Sequence, residues 1–243
     1  MTANPLVTAL EEAVERAREM DAPLNERLGL VADTVRSLST EFAEAVDRLI
    51  ARLQASGAGE AAPAPGERMP DFALPDETGH LVMLGDVLAE GPVAVSFNRG
   101  HWCPYCRLNA VAMAEVQKEV AEAGGRIVAI VPEKRKFTNA LKQDAAAAFP
   151  VLTDMDNGYA LSLNLAIWVG EEMAKMIAAA GWDLPRYQGN DAWMLPIPAT
   201  FVVGTDGVIV ARYLDPDYRK RMEIDQLLAA LRSARRPMPE ASA

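Results

Sequence analysis

Apolar residues recur at Leu24, Leu28, Val31, Val35, Leu38, Phe42, Val46, Ile50 and Leu53, steps of three and four that lay one stripe along a helix. The stripe predicts a single long amphipathic helix. Leu6, Leu10, Val14 and Ala17 predict a shorter helix before it, and Asp21-Ala22-Pro23 breaks the chain between them, so residues 1–55 are expected to form an N-terminal helical hairpin. The long stripe resembles a coiled-coil seam with a stutter at Phe42 to Val46. Such a seam suits a homodimer through the N-terminal helices and packing on the chain's own domain equally well.

Residues 56–68 are rich in small residues, Gly and Pro and are expected to be a linker. The pattern then changes period. Val93 to Phe97 and Arg126 to Val131 read as buried strands, with helices after Cys103 and over Arg135 to Ala148. Ala199 to Val203 and Val208 to Tyr213 read as two strands joined through Thr205-Asp206-Gly207, a hairpin signal, before a last helix over Arg219 to Arg232. Alternating strand and helix imply parallel pairing. The expected fold of residues 69–236 is α/β, a central mixed sheet flanked by helices in the thioredoxin-like order, with the helical extension in front. Between Asp154 and Pro196 lies an insertion holding Trp168, Trp182 and Trp193, which either roofs a site or fills a satellite core.

Charge narrows the function. With 34 acidic against 24 basic residues the formal charge is −10, a field that repels nucleic acid and anionic lipid. No stretch is apolar enough for a membrane span, and the N-terminus has no secretory pattern. A cytoplasmic protein without nucleic-acid or membrane partners is expected.

Only two cysteines occur, in Cys103-Pro104-Tyr105-Cys106, where a strand gives way to a helix. Two cysteines are too few for a secreted disulfide framework. His80 and His101 are the only histidines, so a closed tetrahedral metal site lacks ligands, and no metal or cofactor is expected. The thiolate is the reactive form of cysteine, and a helix start with Arg99, His101 and Arg107 nearby favours it at Cys103. Cys106, one turn on and more shielded, becomes the resolving thiol. Glu133, at the end of the second strand, is either a proton acceptor near the pair or a solvated loop carboxylate.

Three blocks carry a family resemblance: Pro70-Asp71-Phe72 with Leu74 and Gly79; Phe97-Asn98-Arg99-Gly100-His101-Trp102-Cys103-Pro104-Tyr105-Cys106-Arg107; and Pro198-Ala199-Thr200-Phe201-Val202-Val203. From Met69 to about Leu228 the chain resembles the alkyl hydroperoxide reductase/thiol-specific antioxidant (peroxiredoxin-like) branch of the thioredoxin superfamily. The resemblance implies that Pro198 is a cis-proline facing the cysteines, with Trp102, Pro104, Tyr105 and Thr200 supporting the site. Peroxiredoxins carry a threonine, a proline and an arginine where this chain has Gly100, Ser96 and Pro198, so the usual peroxide pocket is missing. Three functions stay open: peroxide reduction through a Cys103 sulfenic acid resolved by Cys106, thiol-disulfide exchange, and a non-catalytic binding module. The first two take a peroxide or a disulfide as substrate and a thioredoxin-like protein or a small thiol as reductant.

Overall fold

The computed structural model describes residues 5–234; residues 1–4 of the expected hairpin and 235–236 of the expected domain lie outside the described residues. Three helices lead, α1 (Pro5–Arg18), α2 (Leu24–Leu38) and α3 (Thr40–Ala55). The single long helix expected from the stripe is therefore two. Ser39 leaves helical geometry at φ −149°, and its hydroxyl accepts the Phe42 N–H at 3.3 Å, capping α3. A serine that satisfies an orphan N–H competes with a continuous helix, and the break lets both halves of the stripe face inward.

Past the helices come the β1 (Ala73–Pro75) and β2 (Leu81–Met83) hairpin, α4 (Leu84–Glu90), β3 (Val93–Phe97), α5 (Pro104–Glu115), α6 (Gln117–Glu122), β4 (Arg126–Val131), α7 (Arg135–Asp144) and β5 (Val151–Thr153). The insertion holds α8 (Gly158–Ser162), β6 (Ala166–Trp168), α9 (Glu171–Ala180), α10 (Leu184–Gln188) and β7 (Met194–Pro196). The chain then runs through β8 (Ala199–Val203), β9 (Ile209–Leu214) and α11 (Ile224–Ala234). The main sheet has the order β5-β4-β3-β8-β9, parallel from β3 to β5 and antiparallel at β3–β8 and β8–β9. This is the mixed sheet expected from the strand and helix order. Period-two alternation gives it two apolar faces. Val93, Val95 and Phe97 pack toward α4 and α8, while Ala94 packs toward α5 and α11.

Three other expectations change. Residues 56–68 do not form a loose linker: Ala62 is buried, Arg212 donates to the carbonyls of Ala62 and Pro63, and Gly66 N–H donates to Ile209 O at 2.8 Å. The segment lines the edge of β9. The last helix starts at Ile224, not Arg219, because Asp215-Pro216-Asp217 makes a loop in which the aspartates accept the N–H groups of Asp217 and Arg219. The apolar seam is used inside the chain: Leu28, Val31, Val35, Phe42, Val46 and Leu53 share a core with Trp102, Leu108 and Met173. Of the two uses weighed from sequence, packing on the chain's own domain is the one these residues make, while Leu38 of the same stripe is exposed.

Helix α5 is the pivot of this arrangement. Apart from Arg107, every residue from Pro104 to Ala114 is buried, since the sheet covers one side and the N-terminal helices the other. A buried polar cluster fixes its register on β3: the side-chain amides of Asn98 and Asn109 donate to Ser96 Oγ at 3.1 and 3.2 Å. Among the described residues no helix is long and apolar enough to cross a membrane.

Candidate active site

Phe97 ends β3, and the turn through Asn98 to Trp102 delivers Cys103 as the N-cap of α5, with Pro104 at the first helical position, where its fixed φ and missing N–H do no harm. The N–H groups of Cys106 and Arg107 both donate to the Cys103 carbonyl, which sets the two side chains one turn apart. Both cysteines are free thiols and both are buried. The two thiols interact closely enough that a thiolate at one sulfur disfavours a second at the other.

The negative charge does not settle where the sequence predicts. Burial pushes the Cys103 thiol well up, and the neighbouring Cys106 sulfur raises it further, while Arg99 and Arg221 only partly offset this. At Cys106 burial also opposes charge. It is outweighed by the neighbouring Cys103 thiol, by Arg221 and Arg99, and by the Arg99 N–H, and the thiol falls to about 5. Geometry gives the reason: Arg99 N–H donates to Cys106 Sγ at 3.2 Å and Arg221 Nη2 donates to it at 3.4 Å. A helix start favours an anion in general, but direct donors aimed at one sulfur decide which sulfur holds it.

Arg99 and Arg221 are themselves buried, and among the described residues neither has a carboxylate within ion-pair distance. Arg99 lies over the rings of Tyr218 at 3.8 Å and Trp102 at 5.0 Å. Arg221 otherwise donates to the carbonyls of Tyr218 and Lys220. Buried cations need a counter-charge, and the cysteine pair is the anion these two have.

Cys103 faces a cavity of about 250 Å³. Its walls come from four parts of the chain: Leu10, Val35, Phe42 and Val46 of the N-terminal helices; Arg99, Trp102 and Tyr105 of the motif; Met173, Ile177 and Trp182 of the insertion; Tyr218 and Arg219 of the loop before α11. Trp182 packs on Trp102 with ring centres 5.6 Å apart, so the insertion does roof the site through this residue. Trp168 stands half-exposed and lines neither this cavity nor its neighbour. Tyr105 is buried and meets Tyr218 edge to face at 5.5 Å.

Several expected site residues serve elsewhere. His101 lines a second cavity of about 690 Å³ on the other side of Trp102 and Trp182, and its ring Nδ1 is 2.7 Å from Glu133 Oε1. It is clamped between Phe137 and Tyr187, at 4.8 and 4.9 Å, and makes no contact with the sulfurs. Glu133 is fully buried, not a solvated loop carboxylate; burial raises its carboxyl, and His101 works against the rise. Its second oxygen accepts the His101 N–H at 2.7 Å. That approach explains Gly100, which has φ +139°: a Cβ there would stand 2.5 Å from the Glu133 carboxyl carbon, leaving no room for the threonine that peroxiredoxins carry.

Arg107 does not reach the thiols, because Asp144 and Glu11 hold it as an ion pair between α5, α7 and α1. Thr200 is buried in β8 opposite Ser96 and lines neither cavity. Pro198 is trans, since no cis peptide occurs among the described residues, and trans is the favoured isomer even for X-Pro bonds. It shares a small crevice with Arg99 and Tyr218.

Sequence reasoning missed Arg221 and its support. Asn25 Oδ1 accepts the Arg221 N–H at 2.9 Å and Asn25 Nδ2 donates to the Arg221 carbonyl at 2.9 Å, while Glu223 accepts the N–H groups of Leu24 and Asn25 at the start of α2. The N-terminal helices therefore both roof the cavity and brace the loop that carries Arg221. The one local clue was the basic run Arg219-Lys220-Arg221.

Comparison with known proteins agrees with this architecture. Residues 65–212 match the model of the AhpC/TSA family. The chain is 27% identical over 175 residues to "Putative peroxiredoxin Rv1608c" of Mycobacterium tuberculosis, covering 70% of this chain and 97% of that one. It is 29% identical over 150 residues to "Putative peroxiredoxin Rv2521" of the same organism, covering 61% and 84%. Among solved structures, peroxidoxin BcpB of M. tuberculosis superposes with a TM-score of 0.55 at 23% identity, over 71% of this chain and 98% of that chain. At that identity the match speaks to fold, which is thioredoxin-like. With a family match over more than half its length and a dithiol at the strand-to-helix turn, the chain is a thiol-dependent oxidoreductase belonging to the AhpC/TSA family.

Proposed function

We propose that the protein reduces a peroxide at Cys103 and that Cys106 resolves the product as an intrachain disulfide. The observation that supports this reading is the position of Cys103, rather than Cys106, on a cavity of about 250 Å³ walled by four segments. A small peroxide fits such a space. A disulfide carried on a folded protein cannot reach a sulfur that is 1% exposed, which disfavours a protein-disulfide reductase.

The split between charge and access gives the cysteines distinct roles. A peroxide enters and the Cys103 sulfur attacks its nearer oxygen, while the Cys103 proton passes to the neighbouring Cys106 thiolate. The O–O bond breaks and its electron pair leaves with the distal oxygen as alkoxide or hydroxide, which takes the proton back from Cys106. Cys103 is then a sulfenic acid and Cys106 a thiolate again. The Cys106 sulfur attacks Cys103, hydroxide leaves, and the disulfide forms. Each step ends with one negative charge for Arg99 and Arg221 to hold until the last releases it as hydroxide. A dithiol that must be restored between turnovers suits a reducing compartment, the cytoplasm.

Stopped-flow oxidation of reduced protein by hydrogen peroxide and by an organic hydroperoxide tests this, with wild type, Cys103→Ser and Cys106→Ser and with product masses recorded. Wild type gains a disulfide, Cys106→Ser gains one oxygen at Cys103 more slowly, and Cys103→Ser consumes no peroxide. Oxidation of wild type no faster than free cysteine defeats the reading.

A further inference from the structure

Forming the disulfide removes the one anion that two buried arginines share. Arg99 and Arg221 have no carboxylate within ion-pair distance among the described residues, so oxidation leaves two buried guanidinium charges uncompensated, and Arg99 lies on the cavity that opens onto Cys103. The other charges on the cavity wall are Asp33 and the carboxylate-paired Arg36 and Arg219, so oxidation leaves Arg99 as the uncompensated cation beside Cys103 and makes that end of the cavity attract an anion. The same cavity excludes macromolecules. Its roof is pinned by Arg27 on Glu115 at 2.8 and 3.1 Å, by Arg18 on Asp144 at 2.6 Å and by Arg48 on Glu172 at 2.7 Å.

We propose that the Cys103–Cys106 disulfide is reduced by a low-molecular-weight thiol bearing a carboxylate, drawn to Arg99 only while the pair is oxidised, and not by a protein dithiol. This rests on the peroxide-reductase reading above. Its thiolate attacks Cys103 Sγ, the S–S bond breaks, and the electron pair goes to Cys106 Sγ, where Arg99 N–H and Arg221 receive the charge. A second small thiol attacks the sulfur of the first, releases the symmetrical disulfide and leaves its proton on Cys103. The carboxylate loses its attraction once the Cys106 thiolate is back, so the product departs.

The test follows the reductive half-reaction alone. Full-length protein is oxidised with diamide, and its reduction is timed by free-thiol release with glutathione, N-acetylcysteine, cysteamine and thioredoxin, rates being compared per thiolate. The carboxylate thiols are expected to react about tenfold or more faster than cationic cysteamine, an advantage that shrinks with salt. Thioredoxin is expected to be slower than either. Arg99→Met abolishes the preference and Arg99→Lys keeps part of it. Should Arg99→Met fail to fold, the charge series on wild type still decides. Equal rates for the carboxylate thiols and cysteamine, or thioredoxin as the fastest reductant, overturns the proposal. Because oxidation is done chemically, failure of the peroxide reaction and failure of this inference are separate results.

Discussion

Arg221→Met isolates the electrostatics of the pair. Methionine keeps much of the buried volume while removing the 3.4 Å charge-assisted hydrogen bond to Cys106 Sγ. Hydrogen bonds to charged groups contribute about 1.5–3 kcal/mol, and one pKa unit equals about 1.36 kcal/mol, so the Cys106 thiol should rise from about 5 by roughly one to two units. The same loss disfavours the reduced state, and removing a stranded cation favours the oxidised one, so both act in one direction. For a two-electron couple about 1.4 kcal/mol corresponds to about 30 mV, and the reduction potential should fall by roughly 30–65 mV. The pH dependence of the thiolate ultraviolet absorbance reads the first quantity, and equilibration against a glutathione redox buffer reads the second. Arg221→Lys should lie between the two proteins. In a Cys106→Ser background, where the acceptor sulfur is gone, Arg221→Met should shift the remaining titration much less. An unchanged titration midpoint and potential in a folded Arg221→Met protein would refute the idea that this guanidinium is the counter-ion.

Three further outcomes follow from the same geometry. Gly100→Ala places a methyl group 2.5 Å from the Glu133 carboxyl carbon at φ +139°, so it should destabilise by at least about 2 kcal/mol in urea unfolding. A second substitution, Glu133→Ala, should recover the part due to the clash and not the part due to the backbone. Because the Cys106 thiol is lowered below its unfolded value, its contribution to the reduced protein is fully present above about pH 8.5 and is lost as pH falls to about 5. The melting difference between reduced and oxidised protein should therefore move in favour of the reduced form as pH rises through that window. The slope of potential against pH should ease from about 60 to about 30 mV per unit near pH 5. Ser39→Ala removes the cap that accepts the Phe42 N–H and should cost about 1 kcal/mol in thermal unfolding.

What could be read from the sequence was whatever neighbours in sequence decide. The five apolar residues Val93 to Phe97 form a central strand because a run buried on both faces has few alternatives, and the cysteine pair sits at its helix-side end as the motif requires. Asp206-Gly207 turns the β8–β9 hairpin, with Gly207 at φ +79°. The stripe from Leu24 to Leu53 named a buried face correctly but carried no information about its partner, and Ser39, an unremarkable polar residue between two apolar turns, reshaped it.

The site itself shows why roles are harder to read than folds. Which sulfur meets substrate is a matter of the cavity, whose walls are gathered from residues as distant as Leu10 and Arg219. Which sulfur holds charge is a matter of aimed donors, one of them on a loop braced by Asn25, 196 residues away. A helix start at Cys103 was visible and argued for charge on that thiol; two donors directed at Cys106 outweighed it. On the proposed mechanism the same separation would order the chemistry, with the thiol that faces substrate as nucleophile and the thiolate behind it as base. Moving the aimed donors to Cys103 would place the thiolate on the sulfur that faces the cavity, where it would attack without a base, so the placement of Arg221 decides which sulfur carries the charge and with it which of the two needs a proton acceptor.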